Sequence, residues 1–165
     1  MSKPRILVTA STFPRWQGDT DPPFVYHLCR GLTAAFEVHV LAPHCAGCPS
    51  EELSDGIHIH RYRYAPESLE QLAYDGGLLR RVKQRPLRAL LLPAFLLGQL
   101  HALLKLDRRY RFRLIHAHWI IPQGVVAALS GRRFLLTSHG GDLFALDGGV
   151  FRSLKRWVLG RAEAM

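Results

Sequence analysis

The chain is short of cysteine and of acidic residues, and it has no long unbroken apolar run. Three cysteines in 165 residues, an odd number, cannot supply the disulfide framework of a small secreted scaffold, and they point to reduced thiols. The apolar stretch nearest the N-terminus covers only five residues, 6–10, which is too short for the core of a signal peptide. The longer run over 89–104, ALLLPAFLLGQLHALL, is broken by Pro93, Gly98, Gln99 and His101. It falls short of the roughly 20 apolar residues that a spanning helix needs, so no membrane span is expected. No internal repeat of solenoid-like period occurs. The dinucleotide fingerprint G-x-G-x-x-G is missing after the first apolar run. The one C-x-x-C, from Cys45 to Cys48, has no second pair to close a zinc site. It lies ahead of Pro49 rather than opening a helix, so it reads as a surface loop and not as a redox motif.

Hydrophobic residues make up 48% of the chain, enough for the core of one domain, and only 21% are charged, which excludes a disordered chain. Lys and Arg total 22 against 13 Asp and Glu, a net charge of +9. Such an excess favours phosphate-bearing partners: nucleotide-sugars, an anionic membrane surface or nucleic acid. Arg80, Arg81, Lys83, Arg85 and Arg88 immediately precede the apolar run 89–104. Basic-then-apolar order suits an element lying on an anionic membrane surface, and equally a buried helix pair with a solvated basic face. No RNP, KH or helix-turn-helix setting surrounds the basic cluster, so nucleic acid is not an expected partner.

Short β-rich runs at 5–10, 37–42, 57–62, 113–118 and 133–138 read as strands. Helical spacing recurs between them. Asp21 and Pro22 are placed as the cap and first residue of a helix carrying Phe24, Val25, Leu28, Cys29 and Leu32. Residues 43–56 read as loop. Segments 67–85 and 87–108 read as helices parted by Pro86, the second kinked or split by Pro93 and Gly98. A short helix is expected over 122–130, and a last one from near Val150 still running at Met165. Alternation of this kind predicts an α/β fold, a doubly wound, Rossmann-like parallel sheet of strand order 3-2-1-4-5. Its binding crevice should lie at the carboxyl ends of the strands, where strands 1 and 4 diverge. The loops 11–21, 118–124 and 138–149 would line it.

Each of those loops carries candidate residues. Gly18 and Asp19 precede a helix start, where free N–H groups attract anions; an ordinary strand-to-helix loop is the competing reading. His116 and His118, two apart on a strand, share a face. With His139 at the end of the next strand they offer three imidazoles. Zinc is one use for such a trio, although no carboxylate lies close in sequence to complete a hydrolytic site. Histidines bonded to backbone carbonyls are the bland alternative. Trp119 suits the core or a sugar-stacking platform. Gly140 and Gly141 allow a ligand close to the backbone, and Asp142 suits either a helical cap or a hydroxyl contact.

In this order, the loop with Gly18, the strand at 37–42, the run D-G-I-H-I-H at 55–60, I-H-A-H-W at 115–119 with P-Q-G at 122–124, and T-S-H-G-G-D at 137–142 resemble the retaining glycosyltransferases of group 1, family four. The resemblance covers nearly the whole chain. It implies one half of a two-domain GT-B enzyme: residues 1–165 as the N-terminal, acceptor-side domain, with the nucleotide-sugar domain outside this chain. It further implies His139 at the reacting centre and Gly18 with Asp19 near the donor phosphates. Gly18-Asp19 stands where relatives have a Gly-Gly pair. His116, His118, Trp119, Gln123, Gly140, Gly141 and Asp142 would lie on the acceptor side. Transfer would retain anomeric configuration and need no metal or other cofactor beyond the nucleotide-sugar, the acceptor being a glycan, a lipid-linked sugar or a small molecule. The fragment alone should be nearly inactive. A cytoplasmic protein is expected, with the inner membrane face as a second location. The rival expectations are a complete nucleotide- or phosphate-binding module without catalysis, and a metallohydrolase built on the three histidines.

Overall fold

The computed structural model describes residues 3–16, 18–19, 23–74 and 77–165. Five runs of apolar, β-branched sequence form parallel strands: β1 (Arg5–Thr9), β2 (Glu37–Pro43), β4 (Ile57–Tyr62), β5 (Leu114–His118) and β6 (Phe134–Thr137). A sixth, β3 (Glu51–Ser54), pairs antiparallel with β4, giving the order β3-β4-β2-β1-β5-β6. Leaving β3 aside, this is the expected 3-2-1-4-5 arrangement, and the fold is Rossmann-like. The segment 43–56, read as loop, therefore contains an edge strand. Its sequence E-E-L-S has too little apolar character to signal one, and the register Glu51↔His60 through Ser54↔Ile57 comes from the hairpin at Asp55-Gly56. Both turn residues have positive φ, 48° and 76°, which glycine adopts without strain.

Side chains alternate across the sheet and form two cores. On one face Leu7, Leu41, Ile115, Ala117, Phe134 and Leu136 pack under the helical residues Phe95, Leu103, Val126 and Val158. On the other, Ile6, Val8, Val38, Val40 and Ile57 pack under Val25 and Cys29 of α1 (Phe24–Leu32). The expected cap at Asp21 and Pro22 lies outside the described residues. Only part of the helical spacing in α1 serves the core: Phe24 and Leu28 are exposed, and Phe24 turns to the carboxyl edge of the sheet.

The segment read as one helix over 67–85 is a single 3-10 turn at Glu67–Leu69 followed by α2 (Leu78–Gln84). The second segment splits as expected, into a 3-10 stretch Pro86–Leu91 and α3 (Leu92–Tyr110), with Pro93 in the first turn of α3. Together, Pro86–Tyr110 form 25 helical residues apolar enough to cross a membrane by length and composition. That corrects the expectation of a stretch too short to do so: stacking end to end lengthens what the interrupted pattern suggested. Here Phe95, Gln99, Leu103, Leu106 and Asp107 are buried in the domain.

Beyond β5 the chain makes a wide turn over Ile120–Gly124, with Gly124 N–H donating to the Trp119 carbonyl (3.0 Å), and continues as α4 (Val125–Leu129). After β6 come α5 (Gly141–Phe144) and α6 (Gly149–Leu159). The last helix does not run to Met165. It stops at Gly160, and Leu136 N–H donates to the Ala164 carbonyl (3.0 Å) beside β6. The unpaired edge of β6 draws the chain into sheet hydrogen bonding. The thiols also depart from expectation. Cys45 and Cys48 form a disulfide, their Cα atoms 5.5 Å apart across a turn in which Cys48 N–H donates to the Cys45 carbonyl (3.0 Å). Cys29 is the free one, and burial pushes its thiol up to about 12.

Candidate active site

At the carboxyl ends of β1, β5 and β6 lies a cavity of ≈ 380 Å³ walled by Ser11, Thr12, Phe24, Leu78, Trp119, Ile121, His139, Gly141 and Asp142. The three loops singled out by the crevice rule do converge there. Its wall is built from rings. Phe24 lies 4.6 Å and Trp119 4.7 Å from the His139 ring, with Phe24 edge-on to Trp119 at 5.9 Å. Trp119 has a φ of 74°, and its N–H donates to the Thr137 carbonyl (2.8 Å).

Behind this wall the strand histidines are bonded to side chains, not to backbone carbonyls. His116 Nε2 meets Thr137 Oγ1 at 2.8 Å, and His118 Nδ1 meets His139 Nε2 at 3.0 Å, their rings stacked. His118 is 1% exposed, and its Nε2 has no partner among the described residues. Burial holds His118 down to about 3, with the His116 and His139 rings adding to the effect, and burial also lowers His116 and His139. All three are neutral at physiological pH. His116 Nε2 turns to Thr137, while His118 and His139 face each other.

Asp142 fastens the two loops together. One carboxylate oxygen accepts from the Ile120 N–H (2.7 Å), and the other accepts from Ser138 Oγ (2.8 Å) and the His139 N–H (3.1 Å). Gln123, expected on the acceptor side, is fully buried and ties β1 to β5. Its amide oxygen accepts from the Ser11 N–H (2.9 Å) and Oγ (2.7 Å), and its amide nitrogen donates to the His118 carbonyl (3.2 Å). The opposite orientation of the amide would set oxygen against carbonyl. Gln123, His116 and His118 therefore support the cavity wall without lining it. Gly140, at φ 80°, turns the chain, and Gly141 lines the cavity with open space where a Cβ would stand.

Gly18 and Asp19 line a neighbouring cavity of ≈ 510 Å³, with Arg15, Trp16, Tyr26 and Asp55. The Asp19 carboxylate is fully buried and pairs with Arg15 through Nε (2.9 Å) and a terminal nitrogen (2.8 Å). Its charge is spent on the loop, so Asp19 shapes the approach to Gly18 and offers nothing directly to an anion. Phe24 was missed from sequence because its helical spacing assigned it to the core. The rule that named the loop up to residue 21 stops three positions short of it.

A parallel sheet whose strand-end loops form such a crevice is the architecture of one half of a GT-B glycosyltransferase. The sequence pattern of Glycosyltransferase Family 4 matches residues 23–165, and the chain belongs to that family. Among solved structures it is similar to two of sucrose-phosphate synthase from Thermosynechococcus elongatus. One has 16% identity and a TM-score of 0.58, covering 96% of this chain and 72% of that one. The other has 17% identity and a TM-score of 0.61, covering 97% of this chain and 41% of that one. At that identity the likeness establishes the fold, and the chain spans less than half of the longer structure. No curated protein sequence matches the chain.

Proposed function

We propose that this domain is the acceptor-side half of a retaining, metal-independent glycosyltransferase, which moves a sugar from a nucleotide-sugar to a glycan, lipid-linked or small-molecule acceptor. The observation that carries the reading is the seat of His139, in the cavity wall between Phe24 and Trp119. Ring faces receive the C–H faces of a sugar, and one polar nitrogen among them fixes its orientation.

The buried pair behind the wall sets which proton that nitrogen carries. If His118 Nδ1–H donates to His139 Nε2, the unpartnered His118 Nε2 is a bare lone pair and no N–H is orphaned. His139 then holds its own proton on Nδ1, free for a sugar hydroxyl or a departing phosphate oxygen. His139 acts as a neutral donor that positions and polarises, and Asp142 keeps its backbone in place. Gly18, at φ 84°, would bring backbone N–H close to the donor phosphates. Stabilisation of the leaving diphosphate would come mainly from the second domain of the intact enzyme.

Leu87, Leu90 and Leu97 are exposed beside Arg80, Lys83 and Arg85, which supports a peripheral seat on an anionic membrane at the cytoplasmic face. Sedimentation with phosphatidylglycerol vesicles, lost in Leu87→Glu/Leu90→Glu, is the expected result. For the reaction itself, run with the intact two-domain enzyme, NMR of the first-formed product should show the donor's anomeric configuration, with turnover unchanged by chelator. An inverted product, or activity abolished by chelator, overturns the reading.

A further inference from the structure

A second group of histidines lies on the opposite face of the sheet, in its other wing. His39 on β2 is in register with His58 on β4, and His60 is two residues further along. The His39 ring stacks on His58 at 4.6 Å (13° between planes) and lies 5.3 Å from His60, with Tyr110 and Phe112 covering it at 4.3 and 5.1 Å. Glu37 Oε1 is 3.2 Å from His39 Nε2, and His39 Nδ1 is 3.0 Å from His60 Nε2. Beyond that, His60 Nδ1 faces Glu51 at 3.5 Å.

One donor atom from each of Glu37, His39 and His58 lies within 4.8 Å of the others, close enough for a single ion to take all three. His39 sets Nε2 beside Glu37 and Nδ1 beside His60 Nε2, so an ion held by Nε2 leaves the His39 Nδ1–H to donate to His60.

We propose that Glu37, His39 and His58 bind a divalent transition-metal ion of the zinc class, with His60 and Glu51 orienting His39 from behind. Two imidazoles and a carboxylate are a zinc donor set, a ligating histidine commonly donates its second N–H to a further acceptor, and the partly exposed Glu37 leaves a fourth position to water. Arg5 Nε donates to the same Glu37 oxygen at 3.0 Å, which steadies the carboxylate and tempers affinity. The ion would brace β2 against β4, away from the sugar cavity, and would take no part in transfer.

The test uses the full chain, purified without a polyhistidine tag, stripped with chelator and titrated with Zn²⁺ and separately with Co²⁺. Saturation at one ion per chain is expected, with the visible absorption of four-coordinate cobalt and a raised Tm. His58→Ala and Glu37→Gln should abolish stoichiometric binding while far-UV circular dichroism shows the fold retained. His60→Gln keeps all three ligands and should weaken binding about 10- to 100-fold. Replacing His116 and His139 should leave binding unchanged. Absence of saturable binding in the unmodified chain overturns the proposal, as does unchanged affinity in His58→Ala or loss of binding on replacing His116 and His139.

Discussion

Two histidine clusters flank one sheet, and their neighbours give them different chemistry. His116, His118 and His139 stand among Phe24, Trp119 and Thr137, and among the described residues no carboxylate is hydrogen-bonded to one of their ring nitrogens. His39, His58 and His60 stand between Glu37 and Glu51. The first group shares neutral protons, and in the function we propose it would donate one to a sugar. The second sets carboxylates beside its ring nitrogens, a setting that suits the cation proposed there. Residue type is the same on both sides, and the difference lies in what faces the second ring nitrogen.

The comparison breaks most sharply by exchanging losses. His139→Ala in the intact two-domain enzyme should lower kcat about 100-fold, the usual effect of removing one positioned donor, with little change in KM for donor. His58→Ala should leave the transfer rate as it was. Steady-state kinetics on both decide it, and equal losses would erase the distinction between the clusters.

Next in size is the scaffold of the cluster at the cavity wall. Asp142→Ala strips two backbone N–H groups and the Ser138 hydroxyl of their acceptor, which should cost about 1–3 kcal/mol in urea denaturation and loosen His139 with it. Gly124→Ala should cost a comparable about 1–3 kcal/mol, because its Cβ would stand 2.9 Å from Val158 Cγ1 and 3.0 Å from Leu136 Cδ1. Gly141→Ala meets open space and should leave the denaturation midpoint nearly unmoved.

Acid sharpens the contrast by a smaller amount. Burial holds His118 near 3 and His39 near 4, against 6.5 for a free imidazole. Below pH 6.5 the unfolded chain takes up protons that the native chain refuses. Stability is therefore full above that pH and falls as pH drops from about 6.5 toward 4 and then 3. Urea midpoints across this range should slope downward, and His118→Asn should flatten the lower part of the slope. A flat profile in the unmodified protein would contradict the burial of these rings.

Five strands and their order were legible because apolar β-rich runs separated by helical spacing admit few topologies, and the switch-point rule then named loops that meet at one cavity. The edge strand Glu51–Ser54 was not legible, since it is polar and exists by pairing with β4. The non-helical stretch at residues 70–74 was not read from the sequence, because Leu72, Ala73 and Tyr74 fit helical spacing, while tertiary packing buries all three outside any helix. In the site, His139, Trp119 and Gly141 were placed at the cavity from sequence, whereas His118 and Gln123 lie behind its wall. The metal-ligand geometry of Glu37, His39 and His58 joins two strands about twenty residues apart, and spacing along one strand says nothing of a register shared with the next.

What the sequence by itself determined was the alternation of strands and helices, the shared face of His116 and His118, and the family motifs at 115–124 and 137–142. Period and order along a chain are local properties, so they survive without coordinates. The tertiary structure alone decided which nitrogen faces which partner: Thr137 for His116, His139 for His118, and Glu37 and His60 for His39. Those pairings depend on register between strands and on burial, which only the folded sheet sets.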